Sequence, residues 1–212
     1  MLSPDKVKEI FKRFKQLNPE PKCELDYTSD YTLLVAIVLS AQTTDKNVNK
    51  ATPALFAEAD TPEKMLTLGE ERLKTHIRSI GLFNNKAKSI MALSKDLVEK
   101  FDGKIPTDFD TLQTLAGVGR KTANVFLNTF YGKPTFGVDT HVLRLCNRIG
   151  IAAGKNPLEV EKNLAKAVTG IIPDADLKYV AHWLVLHGRY VCAAKKPACD
   201  ICPIADLCEK NF

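Results

Sequence analysis

Three observations predict an all-α protein. Apolar residues recur at helical spacing through nearly every segment of the 212 residues. Polar caps and first-turn prolines stand ahead of those runs. No stretch alternates apolar and polar residues as a half-buried strand does. The first helix opens at Ser3-Pro4, an N-cap with a first-turn proline, and carries Val7, Ile10, Phe11, Phe14 and Leu17. Asn18-Pro19-Glu20-Pro21 ends it. Tyr31 to Ala41 is apolar on almost all sides, which requires a helix surrounded by other helices. Further helices start near Asn47, Thr61, Glu70 and Asn84. The last carries Ile90, Leu93, Leu97 and Phe101, and Gly103 with Pro106 closes it. Gly132-Lys133-Pro134 breaks the chain again, before a helix bearing Leu143, Cys146 and Ile149. Asn156-Pro157-Leu158-Glu159 has the form of a capping box. Residues 176–191 carry the single tryptophan, Trp183, on a helix leading into a cysteine-rich segment.

Composition excludes some classes. The longest uncharged run lies between Asp30 and Asp45, too short to cross a membrane. Met1 is followed by a charged helix and no apolar signal segment, so export to an oxidising compartment is not expected. The net charge of +5 suits a nucleic-acid partner only if the charges gather on one face.

Cys192, Cys199, Cys202 and Cys208 are spaced C-x6-C-x2-C-x5-C. Four thiolates converging on one point give the ligation of an iron–sulfur cluster or of structural zinc. A zinc ribbon repeats C-x2-C at both ends, and a disulfide pair needs oxidising conditions. The segment reads as a cluster-binding loop. Cys23 and Cys146 fall beside apolar residues and read as buried small hydrophobes.

The sharpest local signal is Leu112-Gln113-Thr114-Leu115-Ala116-Gly117-Val118-Gly119-Arg120-Lys121-Thr122-Ala123. Thr107 and Asp110 can cap a short helix, and two glycines then permit a tight turn with close backbone approach. A second helix follows through Val125, Phe126 and Phe130. Its first-turn N–H groups and dipole favour a phosphate, and Gly117 and Gly119 leave that phosphate no side chain to meet. Such a hairpin grips a nucleic-acid backbone without reading sequence. Lys121 sits in the first turn of the second helix, where the helix end and Arg120 destabilise an ammonium. A neutral amine there is a nucleophile toward an aldehyde-like carbon; the plainer reading is a solvated or phosphate-contacting lysine. Gly137-Val138-Asp139-Thr140-His141 places Asp139 as an N-cap, a common structural role. A carboxylate there can also stabilise developing charge on a sugar. His141 can meet a phosphate, and Arg144 and Arg148, four apart, are expected to extend a basic surface.

Taken in order, these motifs resemble the endonuclease III family of bacterial base-excision repair enzymes. The likeness runs through Leu39-Ser40-Ala41-Gln42-Thr43-Thr44-Asp45, Ile80-Gly81-Leu82, the hairpin, Val138-Asp139-Thr140-His141, and His182-Trp183 to His187-Gly188-Arg189-Tyr190. It departs at Ala116, where the family usually has proline; a looser turn at most is expected. The resemblance implies two helical lobes flanking a DNA-binding cleft. A six-helix lobe would span about 22–132, with the helix-hairpin-helix at about 108–130. Residues 1–21 and 133–212 would form the other around a 4Fe–4S cluster in loop 192–208. It further implies a bifunctional glycosylase and lyase, acting on oxidised pyrimidines such as thymine glycol, or on abasic sites, in duplex DNA. Lys121 would attack C1′ with Asp139 assisting, and elimination would cut the strand 3′ to the abasic site. Gln42 and Leu82 would fill the space left by an extruded base, while Asp45 either supports the site or caps a helix. Gly117, Gly119, Arg120 and His141 would contact DNA, and Lys195 and Lys196 would clamp its backbone. The expected protein is a monomer in the bacterial cytoplasm, associated with the nucleoid.

Three rivals remain at this level, the simplest being a zinc-bound version of the cysteine loop. An adenine-removing glycosylase of the same superfamily needs a glutamate in the second helix, where this chain is apolar around Ile37. Such enzymes also carry a further C-terminal domain, whereas this sequence ends four residues after Cys208. A non-catalytic cluster-bearing DNA-binding module would not need both Lys121 and Asp139.

Overall fold

The computed structural model describes residues 1–212. It is entirely helical. In chain order the helices are α1 (Pro4–Leu17), α2 (Asp30–Ser40), α3 (Asp45–Glu58), α4 (Pro62–Leu68), α5 (Glu70–Ile77) and α6 (Phe83–Phe101). They continue with α7 (Phe109–Leu112), α8 (Arg120–Tyr131), α9 (Thr140–Ile149), α10 (Pro157–Val168), α11 (Asp174–Leu177) and α12 (Val180–Tyr190). A 3-10 turn follows at Cys199–Ile201. Two compact units result: Glu24–Tyr131, and Met1–Cys23 together with Gly132–Phe212.

In the continuous unit, α2 is the axis. Every residue from Tyr31 to Leu39 is buried, as an all-apolar helix demands. A capping box starts it: the Thr32 N–H donates to Ser29 Oγ at 3.1 Å, and the Ser29 N–H to Thr32 Oγ1 at 2.8 Å. Helices α3, α6 and α8 pack on α2, and α4 and α5 pack on α6. Buried Tyr31 bonds Ser94 Oγ at 2.6 Å, joining α2 to α6, and burial pushes its phenol well above the ordinary range. Two caps differ from expectation. Thr44, not Asp45, caps α3 by accepting from the Asn47 N–H. Asp108, rather than Thr107 or Asp110, caps α7, accepting the Thr111 N–H at 2.8 Å. In both, the capping oxygen lies three residues before the N–H it accepts.

In the discontinuous unit, Val7, Ile10, Phe11 and Phe14 of α1 join a core with Val142, Leu145, Cys146, Val160, Leu164, Trp183 and Leu184. Helix α9 packs on α12 and α10. Leu17, expected on the apolar face of α1, is 68% exposed. The chain turns away at Asn18, whose carbonyl accepts Trp183 Nε1–H at 2.8 Å, so the indole closes that end instead. Ser3 makes no side-chain cap. Asn156 does cap α10 through the Glu159 N–H, but Glu159 returns its bond to the Lys155 N–H, one residue early. The two chain segments of this unit are stitched by Arg13, which forms a bidentate pair with Asp206 at 2.6 and 3.0 Å.

Candidate functional site

The hairpin of α7 and α8 turns through residues 113–119. Gly117 has φ +79°, and a Cβ there would stand 3.0 Å from Ser89 Cβ and 3.3 Å from Val38 Cγ1. Packing against α2 and α6 therefore requires glycine at that position. Gly119 is different: a Cβ would meet nothing within 4 Å. It accepts the Ala123 N–H at 3.0 Å as the residue entering α8, yet offers no side-chain cap to the first-turn N–H groups. Its bareness is toward the outside. Gly117, Gly119, Arg120 and Lys121 are all exposed. Arg120 lays its guanidinium over the Phe109 ring, 4.8 Å from the centroid. At Ala116 the turn is closed by the Val118 N–H donating to Leu115 O at 3.1 Å.

Two exposed tips belong to the same unit. Gln42 has φ +57° and Leu82 φ +60°. Left-handed backbone costs an L-residue about 1–2 kcal/mol, and a leucine has no polar side chain to offset it. Leu82 nevertheless holds that conformation with its side chain 56% exposed. An apolar side chain on a strained, solvent-facing tip suits contact with something outside the chain. Contacts of Gly117 with Val38 and Ser89 place the hairpin turn beside the end of α2 and the start of α6, where these tips arise.

In the other unit, Asp139 caps α9. Its Oδ1 accepts the His141 and Val142 N–H groups at 2.8 and 2.9 Å, and the carboxylate remains partly exposed. His141 Nδ1 lies 3.3 Å from Arg144 Nη2. Gly188 makes this approach of α12 to α9 possible, since a Cβ there would stand 2.9 Å from His141 Cβ.

Arg144 and Arg148 do not extend a basic surface. Arg144 Nη2 donates to Gly188 O at 2.9 Å and Cys192 O at 3.0 Å. Arg148 donates to Cys192 Sγ at 3.4 Å, Ala193 O at 2.9 Å and Ala194 O at 3.1 Å. Desolvation, then repulsion from Arg148, lowers the Arg144 pKa. Spacing on one helix face was legible in the sequence; the carbonyls that draw both side chains inward come from a loop over forty residues away. Helix α9 thus starts at Asp139 and ends on the cysteine loop.

Cys192, Cys199, Cys202 and Cys208 line one pocket, with Ile149, Val191, Ile204 and Ala205 as its apolar wall. Two donors already face the sulfurs, Arg148 toward Cys192 and the Lys210 N–H toward Cys208 at 3.3 Å, and His187 Nε2 lies 3.6 Å from Cys202 Sγ. Thiolates with an apolar wall and outer hydrogen bonds fit an iron–sulfur group. Lys195 and Lys196 are exposed on the same loop. Cys146 is buried, its thiol pushed up to about 12, so it is inert as expected. Cys23 is only half-buried, because it lies outside any helix.

Residues 35–169 match the HhH-GPD superfamily base excision DNA repair protein, and residues 192–208 match the iron-sulfur binding domain of endonuclease III. The chain is 56% identical to endonuclease III of Rickettsia conorii, covering 97% of this chain and 96% of the relative. Endonuclease III of Escherichia coli K12 is 50% identical over 95% of this chain and 93% of the relative. Among solved structures, a trapped endonuclease III–DNA covalent intermediate, an estranged-adenine complex, superposes with TM-score 0.91 at 41% identity. It covers 99% of this chain and 97% of that one. The chain belongs to the endonuclease III family. It is a DNA-binding base-excision repair enzyme, a DNA glycosylase and AP lyase, with a 4Fe–4S cluster. No helix is long and apolar enough to cross a membrane.

Proposed function

We propose that the enzyme removes oxidised pyrimidines of the thymine glycol type from duplex DNA, with Lys121 as nucleophile and Asp139 as its catalytic partner. The observation that carries this is Lys121 itself: an exposed amine in the first turn of α8, directly behind two glycines that bare the backbone. A trapped covalent DNA intermediate of a relative supports covalent chemistry, and an estranged adenine is the base a thymine-derived lesion leaves unpaired.

The lesion first leaves the stack, at a cost of roughly a few kcal/mol that damage reduces. Gln42 fills the vacated space and offers its amide to the orphaned base, while Leu82 wedges the stack apart. Gly117, Gly119 and Arg120 hold the backbone at the start of α8, with His141 contributing a further contact. The Lys121 amine attacks C1′, the C1′–N bond breaks, and Asp139 stabilises the positive charge developing on the sugar. The C1′–O4′ bond then breaks, the ring oxygen takes up a proton and stays on C4′ as a hydroxyl, and C1′ becomes an imine with Lys121, which makes the C2′ proton acidic. Removing that proton expels the 3′ phosphate, and hydrolysis releases Lys121. Cys192, Cys199, Cys202 and Cys208 would hold the cluster, which when bound fixes the loop carrying Lys195 and Lys196 against the DNA backbone. The enzyme acts as a monomer in the bacterial cytoplasm, associated with the nucleoid.

The test uses a duplex with one thymine glycol, incubated with enzyme and sodium borohydride. A covalent adduct is expected with the wild type and none with Lys121→Ala. No adduct from a wild-type protein that binds the duplex and retains its cluster would rule out the lysine mechanism.

A further inference from the structure

Lys86 is 6% exposed, near the start of α6. Its Nζ donates to Leu39 O at 2.9 Å, and no charged neighbour offsets its burial. Burial lowers its pKa, so the site is costly for an ammonium. The last four carbonyls of α2 explain what this lysine does. Ile37 O accepts Ser40 Oγ–H at 2.8 Å, Val38 O the Ala41 N–H at 3.4 Å, and Ser40 O the Thr43 N–H at 3.2 Å. Those three partners are local. Leu39 O alone is met from another element, by Lys86.

The bond lies close in the chain to two strained tips. Gln42 follows Leu39 by three residues; Leu82 precedes Lys86 by four and accepts the Lys86 N–H at 3.0 Å through its carbonyl. We propose that Lys86 is a positioning residue for damage recognition: its buried side chain ties the end of α2 to the start of α6 and holds Gln42 and Leu82 at a set separation for entry into one duplex step. This rests on the reading above that both tips enter DNA. Packing alone does not require the charge. A methionine would keep the apolar stem contacts and relieve the desolvation. Loss of the bond would instead free the α2 end and let the two tips move independently.

The test compares wild type, Lys86→Met, Gln42→Ala and Leu82→Ala. Single-turnover excision is measured on a thymine glycol duplex and, separately, strand cleavage on a single-stranded oligonucleotide with a preformed abasic site, which has no stack to enter. A 2-aminopurine opposite the lesion reports unstacking of the orphaned base. For K86M the expected result is an unchanged or raised melting temperature, a duplex-to-single-strand rate ratio reduced at least tenfold, and a smaller 2-aminopurine rise. An unchanged ratio in K86M while Q42A and L82A are impaired overturns the role of Lys86 alone. If all three keep the wild-type ratio, the tips do not enter DNA and both readings fall. Equal losses on both substrates would mean general damage to the fold and also overturn it. Should K86M not fold, Lys86→Gln is scored by the same ratios.

Discussion

At the residue scale, the two hairpin glycines separate into different kinds. Gly117→Ala forces a side chain onto φ +79° and into Ser89, costing about 1–2 kcal/mol in backbone strain before any repacking; urea titration checks it. Gly119→Ala meets open space, and its stability should change by less than about 1 kcal/mol. Duplex affinity should nevertheless fall roughly tenfold, the equivalent of one charge-assisted hydrogen bond. Equal affinities for G119A and wild type would contradict phosphate binding at this turn. His182 makes a pH prediction. Desolvation lowers its pKa, a hydrogen bond with the Lys178 backbone opposes this, and its Nδ1 is buried without a partner. A depressed histidine pKa means the unfolded chain takes up its proton first. Its contribution is therefore complete above about 6.5 and is lost as pH falls from there through the lower folded value. Stability measured across that window should decline less steeply in His182→Gln than in wild type.

At the element scale, α9 runs from Asp139, the carboxylate proposed for catalysis, to the cysteine loop. Its N-terminus presents Asp139, while Arg148 near its end holds Cys192 Sγ, Ala193 O and Ala194 O. Arg148→Ala removes all three bonds from the cysteine loop. Loss of an outer-shell partner typically costs about 10–100-fold in metal affinity, so the variant should lose its cluster absorbance faster under a chelator. Retention equal to wild type would show that the loop stands without this arginine. Positions of α9 were readable from Leu143, Cys146 and Ile149, and Asp139 as its cap from residue type. The inward turn of its arginines was not, because apolar periodicity describes a helix face and says nothing about which distant carbonyls lie across from it. The same limit applies to Lys86, an ordinary surface residue by type, which is buried because α6 starts against the end of α2.

At the whole-molecule scale, the net charge of +5 is modest, so DNA affinity depends on where the cations stand. If Lys195 and Lys196 each neutralise one phosphate, the double alanine variant should flatten the log affinity–log salt slope by about 1.8. An unchanged slope would remove the loop from the interface. The two units also differ in how they depend on the chain. One is continuous from Glu24 to Tyr131; the other joins Met1–Cys23 to Gly132–Phe212. Its N-terminal helix is held by Phe11 and Phe14 in the core and by the Arg13–Asp206 pair.

Short-range pattern gives the all-helical class, most helix starts, the hairpin with Lys121, the capping aspartate and the four-cysteine loop. Each of these follows from periodicity, cap chemistry or spacing, all written in neighbouring residues. But the helix read over residues 176–191 is two, α11 and α12. Packing settles which glycine a close approach requires, that Arg144 and Arg148 face inward, and that a buried lysine ties the end of α2 to α6. These depend on contacts between residues far apart in the chain, such as Gly117 with Val38, Lys86 with Leu39 and Arg144 with Cys192. Local pattern carries no information about which of many distant backbone oxygens a side chain will meet; only the packed chain selects it.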